Sequence, residues 1–403
     1  MKPLLRKLCL MCLMALTSLS SAQSPVWTGS WAAAPMAVPD SDAEISDDGT
    51  TFRDFIHLSI GGAAIRIRLS NEYGTKPLVI SEVHVAKSAG QGAIDAESDH
   101  AVTFARSSSI EIPAGTFALS DPISMPVPAF ADLVVSIYIR SQINPALTYH
   151  AAAIATNYTA AGNQTTQPAL HNPSKVGSWY LLTGIDVDAG PKATTVVVLG
   201  ASVVNGTHST DDKNLRWPDD LARRFQSSAP TAKIGVLNEG IGGNRILHDT
   251  TGLAGLARVN RDVLGQSNAS VLIFSMGTND IGRTFFPTNK SEKGVTAEQM
   301  EWATQQVVLR AHARGMRVIC ATLNPFEGAA YYSPEGESMR QAYNGYVRSS
   351  QICDGIVDFD RATLDPADPS RFLPKYDSGD HLHPNDAGYQ AMSDAFNLDL
   401  FAR

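Results

Sequence analysis

The stretch that decides the fold of this chain is Thr195-Val196-Val197-Val198-Leu199-Gly200-Ala201-Ser202. It is a continuous run of β-branched and aliphatic residues that ends in three small ones. A run of this kind, without polar alternation, is typical of a strand buried on both faces of a parallel sheet. Because parallel sheets bind ligands beyond the carboxyl ends of their strands, Ser202 lies where chemistry is expected.

Similar runs recur downstream, with helical stretches between them. They cover residues 233–237, 271–274, 318–323 and 356–359. The clearest helix is predicted over 296–314, with a Thr296/Gln299 capping box at its start and Gly315 just past its end. Strands that alternate with helices predict a parallel three-layer α/β domain, which we place at residues 191–403.

The pattern before this domain is different, because apolar and polar residues alternate in short segments. Such segments are predicted at residues 65–69, 79–85, 110–112 and 135–139. Period-two strands interrupted by Gly, Pro and Asn indicate an antiparallel β-sandwich or jelly roll. We place this domain at residues 23–190, with its boundary in Asp188-Ala189-Gly190-Pro191.

The first 22 residues are predicted to be a secretory signal peptide. Lys2, Arg6 and Lys7 precede an apolar stretch over residues 8–19, and Ser20-Ser21-Ala22 fits a cleavage site. The apolar stretch is too short for a transmembrane helix. The protein is therefore expected to be secreted or periplasmic, without stable membrane insertion.

The net charge limits the classes of partner that are expected, and the cysteines bear on the redox state of the compartment. The whole chain has 32 basic and 40 acidic residues, a formal net charge of -8, and the predicted cleavage removes three of the basic ones. Nucleic acid and anionic membrane surfaces are therefore not expected partners. Cys320 and Cys353 remain after cleavage and are expected to be either one disulfide or two buried thiols.

Polar residues follow the buried runs, at the edge where ligands bind. Ser202, a glycine-rich turn over 238–244, Asn279, and the pair Asp380 and His383 are expected to converge there. They supply a nucleophile, oxyanion donors and an oriented base, which is the set that acyl transfer needs. No metal and no cofactor are expected, since no His, Asp or Cys group has ligand spacing and no phosphate-binding loop is present.

The second half of the chain resembles the SGNH, or GDSL-type, serine ester hydrolase family in four blocks that occur in family order. The blocks are Gly200-Ala201-Ser202-Val203-Val204-Asn205-Gly206, Asn238-Glu239-Gly240-Ile241-Gly242-Gly243-Asn244, Gly277-Thr278-Asn279-Asp280 and Asp380-His381-Leu382-His383-Pro384. The resemblance covers residues 195–403 and implies a flavodoxin-like SGNH domain. The strands before it resemble the β-domain of some exported members.

The resemblance also implies roles for individual residues. Ser202 would be the nucleophile, His383 the base, and Asp380 the residue that orients His383. The backbone N–H groups of Ser202 and Gly243, with the side-chain amide of Asn279, would form the oxyanion hole. The family usually has Asp where this chain has Ala201, and we expect this departure to reduce or alter activity rather than abolish it.

These features predict a secreted carboxylic ester hydrolase that acts through an acyl-serine intermediate. Deacetylation of a polysaccharide or another short-acyl ester is preferred, because of export, the added β-domain and the lack of a basic amphipathic helix for a lipid surface. Three alternatives remain: a lipid esterase or lysophospholipase of the same mechanism, an acyltransferase, and a carbohydrate-binding protein whose activity has decayed. The oligomeric state and the role of the β-domain are left open.

Overall fold

The computed structural model describes residues 25–39, 45–140, 146–287 and 292–402. The predicted signal peptide, residues 1–22, lies outside these ranges. No helix among the described residues is long and apolar enough to cross a membrane.

The first part of the chain consists mainly of short antiparallel strands. They are β1 (Trp27–Ala32), β2 (Met36–Ala37), β3 (Thr50–His57), β4 (Ile65–Ser70), β5 (Leu78–Ile80), β6 (Glu82–Gly90), β7 (Ala93–Ile94), β8 (His100–Ala101), β9 (Ile110–Ile112), β10 (Phe117–Leu119), β11 (Asp132–Ile139), β12 (Thr148–His150), β13 (Asn157–Ala161), β14 (Ser174–Val176), β15 (Trp179–Tyr180) and β16 (Leu182–Asp188).

Two sheets of this part pack face to face. One has the strand order β1-β16-β4-β10, and the other has the order β14-β13-β3-β11-β6-β7, with β8 paired to β6. Ile65, Ile67 and Leu69, which alternate along β4, share one core with Val135 and Ile137 of β11. The alternating pattern therefore predicts the antiparallel architecture correctly, because each strand directs every second residue into the core.

One predicted strand is divided in the structure. The segment 79–85 contributes to both β5 and β6, which pair with different strands, β5 with β9 and β6 with β11. Ser81, between them, donates its backbone N–H to the carbonyl oxygen of Tyr138. The alternation changes phase at the break, because the buried residues are Leu78 and Ile80 before it and Val83 and Val85 after it.

The second part of the chain alternates strands and helices. Its strands are β17 (Thr194–Gly200), β18 (Ile234–Gly240), β19 (Ala269–Ser275), β20 (Arg317–Ala321), β21 (Gly355–Val357), β22 (Leu364–Asp365) and β23 (Asp368–Phe372). Its α-helices are α1 (Ser202–Asn205), α2 (Trp217–Gln226), α3 (Gly255–Val259), α4 (Thr278–Phe285), α5 (Ala297–His312), α6 (Pro334–Ser349), α7 (Phe359–Thr363) and α8 (Asp386–Asp394).

Five of these strands form a parallel sheet in the order β18-β17-β19-β20-β21. Val197 and Leu199 of β17 pack on one face with residues of α3, α5 and α6, whereas Val196 and Val198 pack on the other with residues of α2, α7 and α8. Because helices cover both faces, every side chain of this strand is buried, which explains the continuous apolar run. The predicted three-layer α/β domain is confirmed, and its strand order is flavodoxin-like.

The predicted capping box at the start of α5 is also confirmed. Thr296 Oγ1 accepts the backbone N–H of Gln299 (3.3 Å), and Gln299 Oε1 accepts that of Thr296 (2.9 Å). The helix ends two residues earlier than predicted, and Gly315 follows with a φ of +70°. Local capping chemistry therefore sets both ends of this helix.

The two parts of the chain meet at β18, the edge strand of the parallel sheet. Ser59 Oγ accepts the backbone N–H of Val236 (2.9 Å), and Thr195 Oγ1 accepts that of Gly29 (3.0 Å). The backbones approach closely, since a Cβ on Gly235 would lie 2.2 Å from the carbonyl oxygen of Gly29. The β-sandwich thus covers an edge that would otherwise expose unpaired backbone groups.

Cys320, in β20, and Cys353, just before β21, form a disulfide. Of the two states that the sequence leaves open, the structure has the disulfide. It joins neighbouring parallel strands around the α6 crossover.

Candidate active site

Ser202 is the first residue of α1 and lies two positions after the end of β17. The turn between strand and helix is tight, because a Cβ on Gly200 would lie 2.0 Å from Cγ2 of Val204. Glycine at this position lets the chain reverse without a steric clash. The half-buried side chain of Ser202 is thereby presented at the carboxyl edge of the sheet.

Three of the predicted residues form one hydrogen-bonded chain. His383 Nε2 lies 2.8 Å from Ser202 Oγ, and His383 Nδ1 lies 2.6 Å from Asp380 Oδ2. Since a carboxylate oxygen only accepts, Nδ1 carries the proton and donates it to Asp380. Nε2 of the neutral ring is then free to accept the hydroxyl proton of Ser202.

Asp380 is fixed by several donors besides the His383 ring. Its Oδ1 accepts the backbone N–H groups of Leu382 (2.9 Å) and His383 (2.8 Å) and the hydroxyl of Ser378 (2.9 Å). Burial opposes ionisation of this carboxyl, but the hydrogen bonds from His383 and Leu382 outweigh it and hold its pKa well below the usual range. Asp380 is therefore an anion at any pH at which His383 is neutral.

His383 is buried, and burial lowers its pKa below the usual value. The hydrogen bond and the negative charge of Asp380 raise that pKa in part, and the nearby His208 lowers it. The neutral ring, which can accept a proton, is consequently the prevailing form near neutral pH.

A second histidine contacts the same aspartate. His208 Nε2 lies 3.2 Å from Asp380 Oδ2, and the rings of His208 and His383 are 5.4 Å apart between centroids. His208 is half-exposed and has a φ of +68°, so a strained loop conformation brings it there. His208 lies outside the four blocks that resemble the family, so the sequence gives no signal of this contact.

The predicted oxyanion donors lie on two loops that follow β18 and β19. Gly243 has a φ of +75°, and its backbone N–H, like that of Ser202, has no acceptor among the described residues. Asn279 is buried near the start of α4, and its Nδ2 donates to the carbonyl oxygen of Asn244 (3.0 Å). The second Nδ2 hydrogen remains available to a ligand.

Tyr331 orients the amide of Asn279. Its hydroxyl donates to Oδ1 of Asn279 (3.2 Å), which fixes which end of the amide presents its N–H groups. Burial raises the pKa of Tyr331 well above its usual value, so its hydroxyl stays a donor. Tyr331 lies 52 residues after Asn279, and no sequence motif indicates that the two side chains are in contact.

Ser202 and Asn279 border a small cavity. Its volume is about 20 Å³, and its wall also includes Val203, Tyr331 and Leu382. One water needs roughly 10–15 Å³ of such space, so the cavity accommodates a group about as large as a methyl. A larger substituent would extend out of this cavity or require its walls to move.

The other end of α1 is bound to the N-terminal part of the chain. Asn205 Oδ1 lies 2.8 Å from Nε2 of His150, and Asn205 Nδ2 donates to the carbonyl oxygen of Ala152 (3.0 Å). The guanidinium of Arg216 donates to the carbonyl oxygen of Asn205 (3.1 Å). These bonds fix the turn that carries Ser202 even though Ala201 has no side-chain hydrogen bond to offer.

The structure also forms a group of potential metal ligands that the sequence spacing does not indicate. Ligand atoms of His208, Asp380 and His383 lie within 4.8 Å of one another. The same atoms of Asp380 and His383 already share a hydrogen bond, and a cation there would displace its proton. The arrangement therefore fits proton transfer from Ser202 without further change.

Comparison with known proteins agrees with this description. Residues 198–391 match the family model described as the GDSL-like Lipase/Acylhydrolase family. No curated protein matches the chain.

Several solved structures resemble about half of the chain. A catalytic variant of Axe2, an acetylxylan esterase from Geobacillus stearothermophilus, is 20% identical, with 53% of this chain and 96% of that one covered and a TM-score of 0.41. LAE5, an alpha/beta hydrolase enzyme from the metagenome of Lake Arreo, is 20% identical (53% and 96% covered, TM-score 0.41). A GDSL-like lipase from Bacteroides thetaiotaomicron is 17% identical (52% and 88% covered, TM-score 0.37).

Proposed function

We propose that the protein is a serine carboxylic ester hydrolase with Ser202 as nucleophile, in keeping with the match of residues 198–391 to the GDSL-like lipase/acylhydrolase family model. The observation that carries the proposal is the continuous hydrogen-bonded chain Ser202–His383–Asp380, with distances of 2.8 and 2.6 Å. A nucleophile, a base and a group that orients the base are the arrangement that covalent acyl transfer requires.

In the first half-reaction, Ser202 Oγ attacks the ester carbonyl carbon while its proton passes to Nε2 of His383. The resulting imidazolium is stabilised by the carboxylate of Asp380. The carbonyl oxygen becomes an oxyanion and accepts hydrogen bonds from the N–H groups of Ser202 and Gly243 and from Nδ2 of Asn279. Collapse of the tetrahedral intermediate breaks the bond to the alcohol, which leaves with the proton from His383.

In the second half-reaction, a water takes the place of the alcohol. His383 removes its proton as the water oxygen attacks the acyl-serine carbonyl, and the same donors stabilise the second oxyanion. Ser202 regains its proton when the acid leaves. No metal or organic cofactor takes part in these steps.

We further propose that the acyl group is acetyl or another short chain. The cavity beside Ser202 and Asn279 has a volume of about 20 Å³, which is too little for an alkyl tail. Acetylxylan esterase activity is named for one structural neighbour, and an acetylated polysaccharide is the substrate class that we propose here. The Cys320–Cys353 disulfide supports the proposed location in an oxidising compartment outside the cytoplasm.

The test is hydrolysis of p-nitrophenyl acetate, butyrate and octanoate by the purified protein and by Ser202→Ala and His383→Ala. We expect acetate to be the preferred ester and each variant to lose about 10⁴-fold or more of kcat, because the triad acts as a unit. Asn279→Ala should lose about 10²–10³-fold, the usual effect of one oxyanion donor.

His381→Ala is the matched control. This exposed histidine lies two residues before His383 and pairs with Asp377 instead (2.5 Å), so its loss should leave turnover near that of the wild type. Turnover by Ser202→Ala equal to that of the wild type would reject the proposal.

A further inference from the structure

A second cavity, of about 590 Å³, adjoins the predicted oxyanion hole, because Gly243 is part of its wall. The charged residues of its lining are Arg245, Arg283, Lys293, Asp249 and Glu292. Arginine and lysine thus outnumber acidic residues here, although the whole chain has a net charge of -8. We call this space the basic cavity.

Arg245 is a fully buried cation whose hydrogen bonds are incomplete. Its Nη2 donates to the carbonyl oxygen of Lys293 (2.7 Å), but neither Nε nor Nη1 has an acceptor among the described residues. Buried donors in native proteins are nearly always paired, and an exception calls for a ligand, ion or water that completes the bonding.

Asp280 is the carboxylate nearest to these free donors, but it is engaged elsewhere. Its oxygens accept the backbone N–H groups of Ile246 (2.8 Å) and Leu247 (3.3 Å), whereas Nε of Arg245 is 3.7 Å away. At this distance Arg245 and Asp280 form an ion pair but no hydrogen bond. Arg245 therefore keeps donor capacity that the protein itself does not use.

The positive charges of Arg245 and Lys293 also act on His248, another residue of the lining. His248 has its pKa lowered by burial and then by Arg245 and Lys293, with only a partial opposing effect from Asp249. An anion in the cavity would meet a positive potential as well as free N–H donors.

We infer that the basic cavity binds a carboxylate carried by the alcohol part of the ester, so that the substrates are acetylated acidic sugars. This inference rests on the proposed function, because the 20 Å³ cavity leaves no room for a charged acyl group. Arginine donates two parallel N–H bonds to a carboxylate, and Arg283 and Lys293 add charge where the cavity meets solvent.

The binding test uses methyl glucuronoside and methyl glucoside, which differ only in a carboxylate against a hydroxymethyl group. Calorimetric titration of the full-length protein should give a dissociation constant about tenfold or more lower for the uronoside. In Arg283→Gln and in Lys293→Gln this preference should fall to about threefold or less, and added salt should reduce it in the wild type. Lys213→Gln removes an exposed lysine of a different groove and should leave the preference intact.

Two results would overturn the inference: equal affinity for the two glycosides, or a preference that survives both substitutions. Acetate release from the acetylated forms of the two glycosides separates this inference from the esterase proposal. Equal kcat/KM on both esters rejects the carboxylate site and supports the esterase. Carboxylate-selective binding without acetate release rejects the esterase and leaves the site supported.

Discussion

Asp380 contacts two histidines, and this arrangement affects the protonation of His383. His383 and His208 both approach Oδ2, at 2.6 and 3.2 Å. His208 opposes protonation of His383 electrostatically, and the two rings share one oxygen of Asp380. Proton uptake by His383 in the free enzyme is then less favourable, which keeps the ring neutral at lower pH.

His208→Gln should therefore raise the pKa of His383. In the proposed mechanism, activity requires neutral His383 and is lost as pH falls through that pKa, so the acidic limb of kcat/KM should move to higher pH by up to about one unit. Because His208 is half-exposed, added salt should weaken its influence on the pKa of His383 in the wild type. A limb that moves to lower pH, or that shifts equally in His381→Gln, would contradict this interpretation.

At the scale of elements, one arginine of α3 joins the ends of two strands to the glycine-rich loop. The guanidinium of Arg258 donates to the carbonyl oxygens of Gly200 (2.8 Å) and Glu239 (2.8 Å) and to Oδ1 of Asn244 (3.1 Å). It also pairs with Asp262 (2.9 Å), and both side chains are buried. The positions of Ser202 and of the glycine-rich loop over 238–244 therefore depend on the guanidinium of Arg258.

Arg258→Lys keeps the positive charge but cannot supply the planar set of N–H donors that the guanidinium provides. We expect a loss of about 1–3 kcal/mol in the free energy of unfolding, the cost of leaving buried acceptors without a donor, and a fall in kcat larger than any change in KM. Arg371→Lys is the control, since this exposed arginine pairs with Glu327 and should cost less than about 1 kcal/mol. Urea titration and steady-state kinetics measure both; equal losses in the two variants would refute the positioning role of Arg258.

Distance along the chain explains which of these contacts could be predicted. Ser202 and His383 are 181 residues apart, yet each follows a recognisable motif at the carboxyl edge of the sheet, so their meeting was predictable. The contact of His208 with Asp380 depends on a loop in which both His208 and Asp212 have positive φ, and no periodicity encodes that path. The bond between His150 and Asn205 depends on how two separately predicted domains pack.

In the molecule as a whole, the β-sandwich helps to hold the turn that carries Ser202. His150 is buried, and its ring bridges Asn205 of α1 (2.8 Å) and the carbonyl oxygen of Ala34 (2.9 Å), in the segment that follows β1. β1 in turn packs on β18 through Gly29 and Gly235. A displacement of β1 from the parallel sheet is thereby coupled to the helix that begins with Ser202.

Gly235→Ala tests this coupling, because its Cβ would lie 2.2 Å from the backbone oxygen of Gly29 and force the two parts of the molecule apart. We expect a loss of about 1–3 kcal/mol in the free energy of unfolding, as for overpacked cores, together with a lower kcat on p-nitrophenyl acetate. Gly345→Ala is the matched control, since Gly345 lies in α6 with no neighbour within 4 Å of an added Cβ. That change should stabilise the protein by about 0.5–1 kcal/mol, because alanine favours a helix over glycine, and should leave kcat unchanged. If Gly235→Ala destabilises the protein but kcat stays at the wild-type value, the β-sandwich packs against the catalytic domain without positioning Ser202.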